Sequence, residues 1–285
     1  MKHFKFLPLD YNNNSKNYNT IKDAAPSLTR PHHIPDGYNV DNILNAAEEV
    51  NSIPDNHPIM VDIDEEQLLN SFTELAHRLG YASYQDMEVE ANQWFSEKWK
   101  SLGNPTTPIF FDLNLSYKPG LTGKDRYLKN RGHISWQTEQ GYFPGDATEF
   151  LEELDGLYIK TIIDSLIEWH ETNFQRKWVG GIRILWVNPC RRYNLHNDAN
   201  LYLRYHVPIT TRPDVQFLCR DEGDTDKYYK MHMPVGEAWM LIPKMLHTVI
   251  NPWDKPRAHL ILTEYREPGH QLEEATFVLP DIAFK

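Results

Sequence analysis

At 285 residues, with 40 acidic against 29 basic side chains and a formal charge of −11, the chain can bury a substantial core and carries the wrong sign for gripping a phosphate backbone. Nucleic acid is therefore not expected as a partner. Cys190 and Cys219 are too few for a disulfide framework and show no CxxC spacing, which points to a reduced, cytoplasmic protein.

The opening MKHFKFLPLDYNNNSKNYNT is too polar for a signal peptide, and no stretch approaches the roughly eighteen apolar residues of a membrane span. Residues 1–37 mix Asn, Pro and polar side chains and read as an irregular arm. From Asp41 the spacing turns helical. VDNILNAAEEV comes first; DEEQLLNSFTELAHRLG follows, with acids in its first turn and Gly80 at its end; SYQDMEVEANQWFSEKWKSLG then opens on Ser83 and closes on Gly103. These predict three helices in an N-terminal region covering residues 1–104.

After Pro105 the texture changes. PIFFDLNLSY and GHISWQT read as strands, and ATEFLEELDGLYIKTIIDSLIEWHETNF carries the apolar spacing of a long helix packed on a sheet. GIRILWV, LYLRYHVPI, VQFLC, KYYKMHM, EAWMLI, HTVIN and AHLILTEY then follow as short strands separated by turn-rich pieces. A mainly β fold with helices is expected, with an antiparallel sandwich or barrel such as a jelly roll over residues 105–285.

Within YNLHNDANLYLRYHVPI, His196 and Asp198 lie two residues apart, so an extended backbone would put an imidazole and a carboxylate on one side. An H-x-D alone arises readily by accident and needs a third ligand. His247, at the head of HTVIN, could supply it, or could be a core histidine bonded to backbone. Two imidazoles and one carboxylate on one face of Fe(II) leave the opposite positions open, as non-haem oxygenases require. Arg257 heads the last long strand and shares a face with His259 and Ile261; a buried arginine there needs an anion, and its planar fork suits a carboxylate. Arg204 and His206 form a second basic pair on one strand face. Taken singly, either arginine could simply pair with a surface acid. Together the positions describe a metal beside a dicarboxylate pocket.

These segments resemble the 2-oxoglutarate and Fe(II) dependent oxygenases, in the aspartyl/asparaginyl and proline hydroxylase branch. The resemblance runs through IRILWVNPCRRYNLHNDANLYLRYHVPIT and MPVGEAWMLIPKMLHTVINPWDKPRAHLIL, in matching order: an H-x-D, an Arg-x-His-x-Pro strand, a Gly before Trp239, a distal His, and an Arg ten positions later. It implies a double-stranded β-helix, a cupin-like jelly roll. It further implies Fe(II) held by His196, Asp198 and His247, 2-oxoglutarate as co-substrate with its distal carboxylate on Arg257, and Arg204 and His206 beside it.

The implied reaction consumes O2 and hydroxylates a free amino acid or an amino-acid side chain in a peptide, releasing succinate and CO2. Trp136, Tyr193, Arg191 and Arg192 are softer candidates for substrate contact. Family members often have Pro-Gly where this chain has Pro189-Cys190, so Cys190 either lines the site or occupies the turn. The helical N-terminal part has no counterpart in the resemblance; it could cover the barrel, form a homodimer contact or supply a lid. The alternative is a catalytically silent, metal-binding jelly roll with a structural or partner-binding role, because a fold alone does not fix function.

Overall fold

Strands such as GIRILWV and LRYHVPI alternate two kinds of side chain, and a pleated backbone sends them to opposite faces. The computed structural model describes residues 2–4, 46–50, 57–59, 63–101, 108–129, 147–175, 177–192, 201–220, 227–241, 246–265 and 277–279. Its elements begin with β1 (Lys2–Phe4), β2 (Glu48–Glu49), β3 (His57–Ile59), α1 (Glu65–Arg78), α2 (Tyr84–Ser101), β4 (Phe110–Asn114), β5 (Ser116–Tyr117), β6 (Glu149–Phe150) and α3 (Tyr158–Phe174). The strand-rich half follows as β7 (Gly180–Val187), β8 (Arg191–Arg192), β9 (Leu201–Thr210), β10 (Gln216–Arg220), β11 (Tyr228–Met231), β12 (Ala238–Leu241), β13 (His247–Asn251), β14 (Arg257–Tyr265) and β15 (Phe277–Leu279).

A six-stranded sheet in the order β3-β12-β9-β14-β7-β4 faces a five-stranded sheet in the order β2-β11-β10-β13-β8. From β7 to β14 the chain alternates between the sheets, crossing at every step except the β10–β11 hairpin. Strands β7, β14, β9 and β12 lie side by side in one sheet and β8, β13, β10 and β11 in the other, all pairing antiparallel. This is the double-stranded β-helix, a jelly roll. The β3 strand adds to the free edge of β12, β2 adds parallel to β11, and β4 covers the edge of β7. Closely approaching backbones fix one residue: a Cβ at Gly180 would collide with the Thr263 carbonyl of β14.

The outer face of the larger sheet, with Ile182, Ile184, Trp186, Tyr205, Val207, Leu260 and Leu262, joins the three helices in one apolar core. Asp64 caps α1 by accepting from the Gln67 N–H at 2.9 Å, and Gly80 at φ 89 ends it, as the sequence predicts. Leu68, Phe72, Leu75 and Ala76 form its buried stripe, fully enclosed in that core. No helix among the described residues is long and apolar enough to cross a membrane.

Two expectations are corrected. The long helix predicted from residue 147 begins only at Tyr158: Glu149–Phe150 pair with β5, and Gly156 at φ 74 breaks the continuity before Leu157. Near the end of VDNILNAAEEV, Glu48–Glu49 are extended and pair with β11, because a sheet edge offers backbone partners that override a helical pattern. Residues 40–45 of that segment and GHISWQT lie outside the described residues.

Candidate active site

Because Trp186, Tyr205 and Leu260 point outward to the helices, their neighbours in sequence point between the sheets. One side of that interior is apolar, built from Phe217, Cys219, Tyr229, Met231, Met233, Trp239 and Leu241. The other side is charged and hydrogen-bonding: Arg183 from β7, Arg204 and His206 from β9, His247 from β13, and Arg257 and His259 from β14, all buried.

Register fixes their sequence along the barrel. Arg204 lies opposite Leu241 and Thr263, His206 opposite Trp239 and Ile261, and His259 opposite Pro208. Arg257 comes last, beside Val187, at the end of the barrel farthest from Leu201. The start of β9 and the end of β12 share the opposite end, from which residues 242–246 lead to His247. His247 sits across from Cys219, with its ring stacked on Phe217 at 5.5 Å and 25°.

Arg257 is 2 % exposed. Its Nη2 lies 2.7 Å from His259 Nδ1, while Nε and Nη1 meet no hydrogen-bond partner among the described residues. Burial pushes its guanidinium down to about 9, with no carboxylate among the described residues opposing the shift. A guanidinium donates only, so His259 Nδ1 accepts, and the neutral ring carries its proton on Nε2. His206 Nδ1 stands 3.3 Å from the same nitrogen, the two rings meeting edge to face at 5.5 Å. Burial holds the His206 imidazole well below its ordinary range, and Arg257, Arg204, His247 and Arg183 add to the effect. His259 is depressed by burial first and by Arg257 and His206 after it. Both rings are therefore neutral, in a field set by arginines.

Arg183 and Asp112 were not singled out from the sequence. Arg183 Nη1 donates to Asp112 Oδ2 at 3.2 Å, both buried, pinning β4 to β7 on the inner side. The signal was present as a lone acid in FFDLN and a lone arginine in GIRILWV, but nothing in the sequence joins positions 71 apart.

The structure brings His247, Arg257, Arg204 and His206 into one barrel interior. His196, Asp198, Tyr193 and Trp136 lie outside the described residues, as does the side chain of Arg192. Among the described residues no three His, Cys, Asp or Glu side chains form a metal-binding group. Arg191 is exposed on β8. Cys190 is exposed at φ 50 with its N–H donating to the Trp253 carbonyl at 2.9 Å, so it occupies the turn in a conformation that glycine favours.

Residues 127–267 match the family model for aspartyl/asparaginyl beta-hydroxylase. No curated protein sequence matches the chain. Among solved structures, a 2OG-Fe(II) oxygenase family oxidoreductase from Burkholderia pseudomallei is similar at 12% identity, covering 79% of this chain and 97% of its own, with a TM-score of 0.38. An oxalate decarboxylase mutant from Bacillus subtilis is similar at 18% identity over 34% of this chain and 25% of its own, with a TM-score of 0.27. A cupin domain from Bordetella pertussis is similar at 18% identity over 31% and 82%, with a TM-score of 0.25.

Proposed function

We propose, from the match of residues 127–267 to the aspartyl/asparaginyl beta-hydroxylase family model, that the chain is a 2-oxoglutarate-dependent, non-haem Fe(II) dioxygenase. Its substrate is a free amino acid or an amino-acid side chain within a peptide. The observation that carries the reading is Arg257: a buried guanidinium with two donors unmet among the described residues is a receptor for an anion, and its fork matches a carboxylate.

The fit extends along the barrel. A linear dicarboxylate with one end on Arg257 would run past His259, His206 and Arg204 toward the end where β13 begins. There His247 would hold Fe(II) together with His196 and Asp198, which immediately precede β9; two imidazoles and a carboxylate are the donor set for this metal. When bound, Fe(II) would activate O2, coupling oxidative decarboxylation of 2-oxoglutarate to succinate and CO2 with hydroxylation of a substrate C–H bond. Arg257 fixes the distal carboxylate and so orients the oxo-acid end. Arg204 and His206 flank the middle of the co-substrate. The apolar wall of Phe217, Trp239 and Leu241 excludes water and strengthens each of these charge contacts.

The test is succinate formation from 2-oxoglutarate with Fe(II), O2 and pools of amino acids and peptides. Wild type should release succinate in a substrate-dependent way. Arg257→Ala should weaken 2-oxoglutarate binding by about 10- to 100-fold, the worth of hydrogen bonds to a charged group, while metal affinity stays within about 3-fold. Metal binding without any succinate would favour a silent jelly roll instead. Metal loss in Arg257→Ala as severe as in His247→Ala would contradict the division of labour.

A further inference from the structure

We propose that His259 is a positioning residue that holds Arg257 ready for a carboxylate while leaving its charge unneutralised. The inference rests on the reading of Arg257 as the co-substrate anchor. An arginine taken out of water needs its donors engaged and its long side chain fixed. A carboxylate would do both, but it would also cancel the charge and compete with the incoming anion. A neutral imidazole accepts from Nη2 at 2.7 Å and cancels nothing. Nε and Nη1 meet no partner among the described residues and are placed to receive the ligand.

Local backbone geometry sets this contact. Arg257 and His259 stand two apart on β14 and share its inner face. The pairing with β9 slips by one residue between Ala258 and His259, leaving Ile209 without a partner on β14. Such a bulge turns the side chains beside it, here between the arginine and the ring that receives it. His259 also reaches the other polar strand, since His206 Nδ1 lies 3.3 Å from the same Nδ1. The buried His259 ring therefore receives the deep anchor on β14 and lies against the buried His206 ring, in the middle of the site on β9.

The experiment compares full-length wild type with His259→Gln, His259→Leu and His259→Glu. It measures 2-oxoglutarate affinity by calorimetry with Mn(II) as a redox-inert metal, the Mn(II) affinity itself, and KM against kcat with Fe(II). Gln keeps a neutral acceptor and should bind 2-oxoglutarate within about 3-fold of wild type. Leu should lose about 10-fold or more, appearing in KM far more than in kcat, and Glu should lose about 100-fold by occupying Arg257. Mn(II) affinity should hold within about 3-fold throughout, which a general structural failure would not give. Leu binding like wild type, Gln falling as low as Leu, or Glu binding as well as Gln would overturn the proposal. The Gln and Glu pair decides it even if the Leu variant does not fold. A wild type that binds no 2-oxoglutarate overturns the functional reading together with it, whereas a binding wild type with indifferent variants overturns the role of His259 alone.

Discussion

Asp112 and Arg183 carry opposite charges into the space between the sheets, where each is tolerated because the other is there. Removing the carboxylate in Asp112→Ala leaves the guanidinium buried without it, so stability should fall by about 3–5 kcal/mol in denaturant unfolding. A loss below about 1 kcal/mol would mean that the pair does not hold β4 to β7. This pair also marks where sequence reading stops. A lone charge in an apolar strand is visible as a chemical oddity, which is why Arg204, His206 and Arg257 stood out. Its partner is not visible, because contact between distant strands depends on register. Arg257 and His259 were expected on one face, yet their hydrogen bond arises from side-chain geometry that periodicity does not encode. At Cys190 the resemblance supplied the clue, since it implies a Pro-Gly turn there and Cys190 has a positive φ.

Among the elements, α2 lies against β4 and turns Glu88 toward the Trp186 indole, where burial pushes the carboxyl up to about 7 while the indole pulls the other way. The folded chain thus keeps a proton that the unfolded chain releases near 4.5, the ordinary value for a glutamate. This contribution to stability is therefore lost as pH rises between those two values and stays constant above them. Glu88→Gln should remove that part of the slope, so its melting temperature should gain on wild type between pH 5 and pH 8. An equal offset at both values would show that Glu88 titrates normally. Strands were the most legible elements, because alternation such as LRYHVPI is a direct consequence of the pleat. Helix boundaries were less so. Apolar spacing continued backward past Gly156, where backbone conformation ends the helix. A two-residue strand such as Glu48–Glu49 is too short to have any period.

Over the whole molecule, the helices and the barrel share one apolar core, in which Leu68, Phe72, Leu75, Met87 and Phe95 meet Trp186, Tyr205 and Leu260. Deleting residues 1–104 would strip two helices and the edge strands β2 and β3 from the sheets. The shortened chain should aggregate or lose cooperative unfolding, as seen by light scattering and calorimetry; a monomeric, cooperatively folding product would identify the barrel as a self-sufficient unit. The jelly-roll topology, the arginine-rich side of its interior and the family match over residues 127–267 are what the proposal of an anion and metal site in the barrel rests on. The most direct measurement of that claim is an anaerobic titration of the full chain with Fe(II) and then 2-oxoglutarate, followed by absorption spectroscopy. A visible metal-to-ligand charge-transfer band should grow in and saturate with 2-oxoglutarate in wild type, and Arg257→Ala should need about 10-fold or more co-substrate to reach it. Absence of the band in wild type, or the same titration curve in both proteins, would contradict the account.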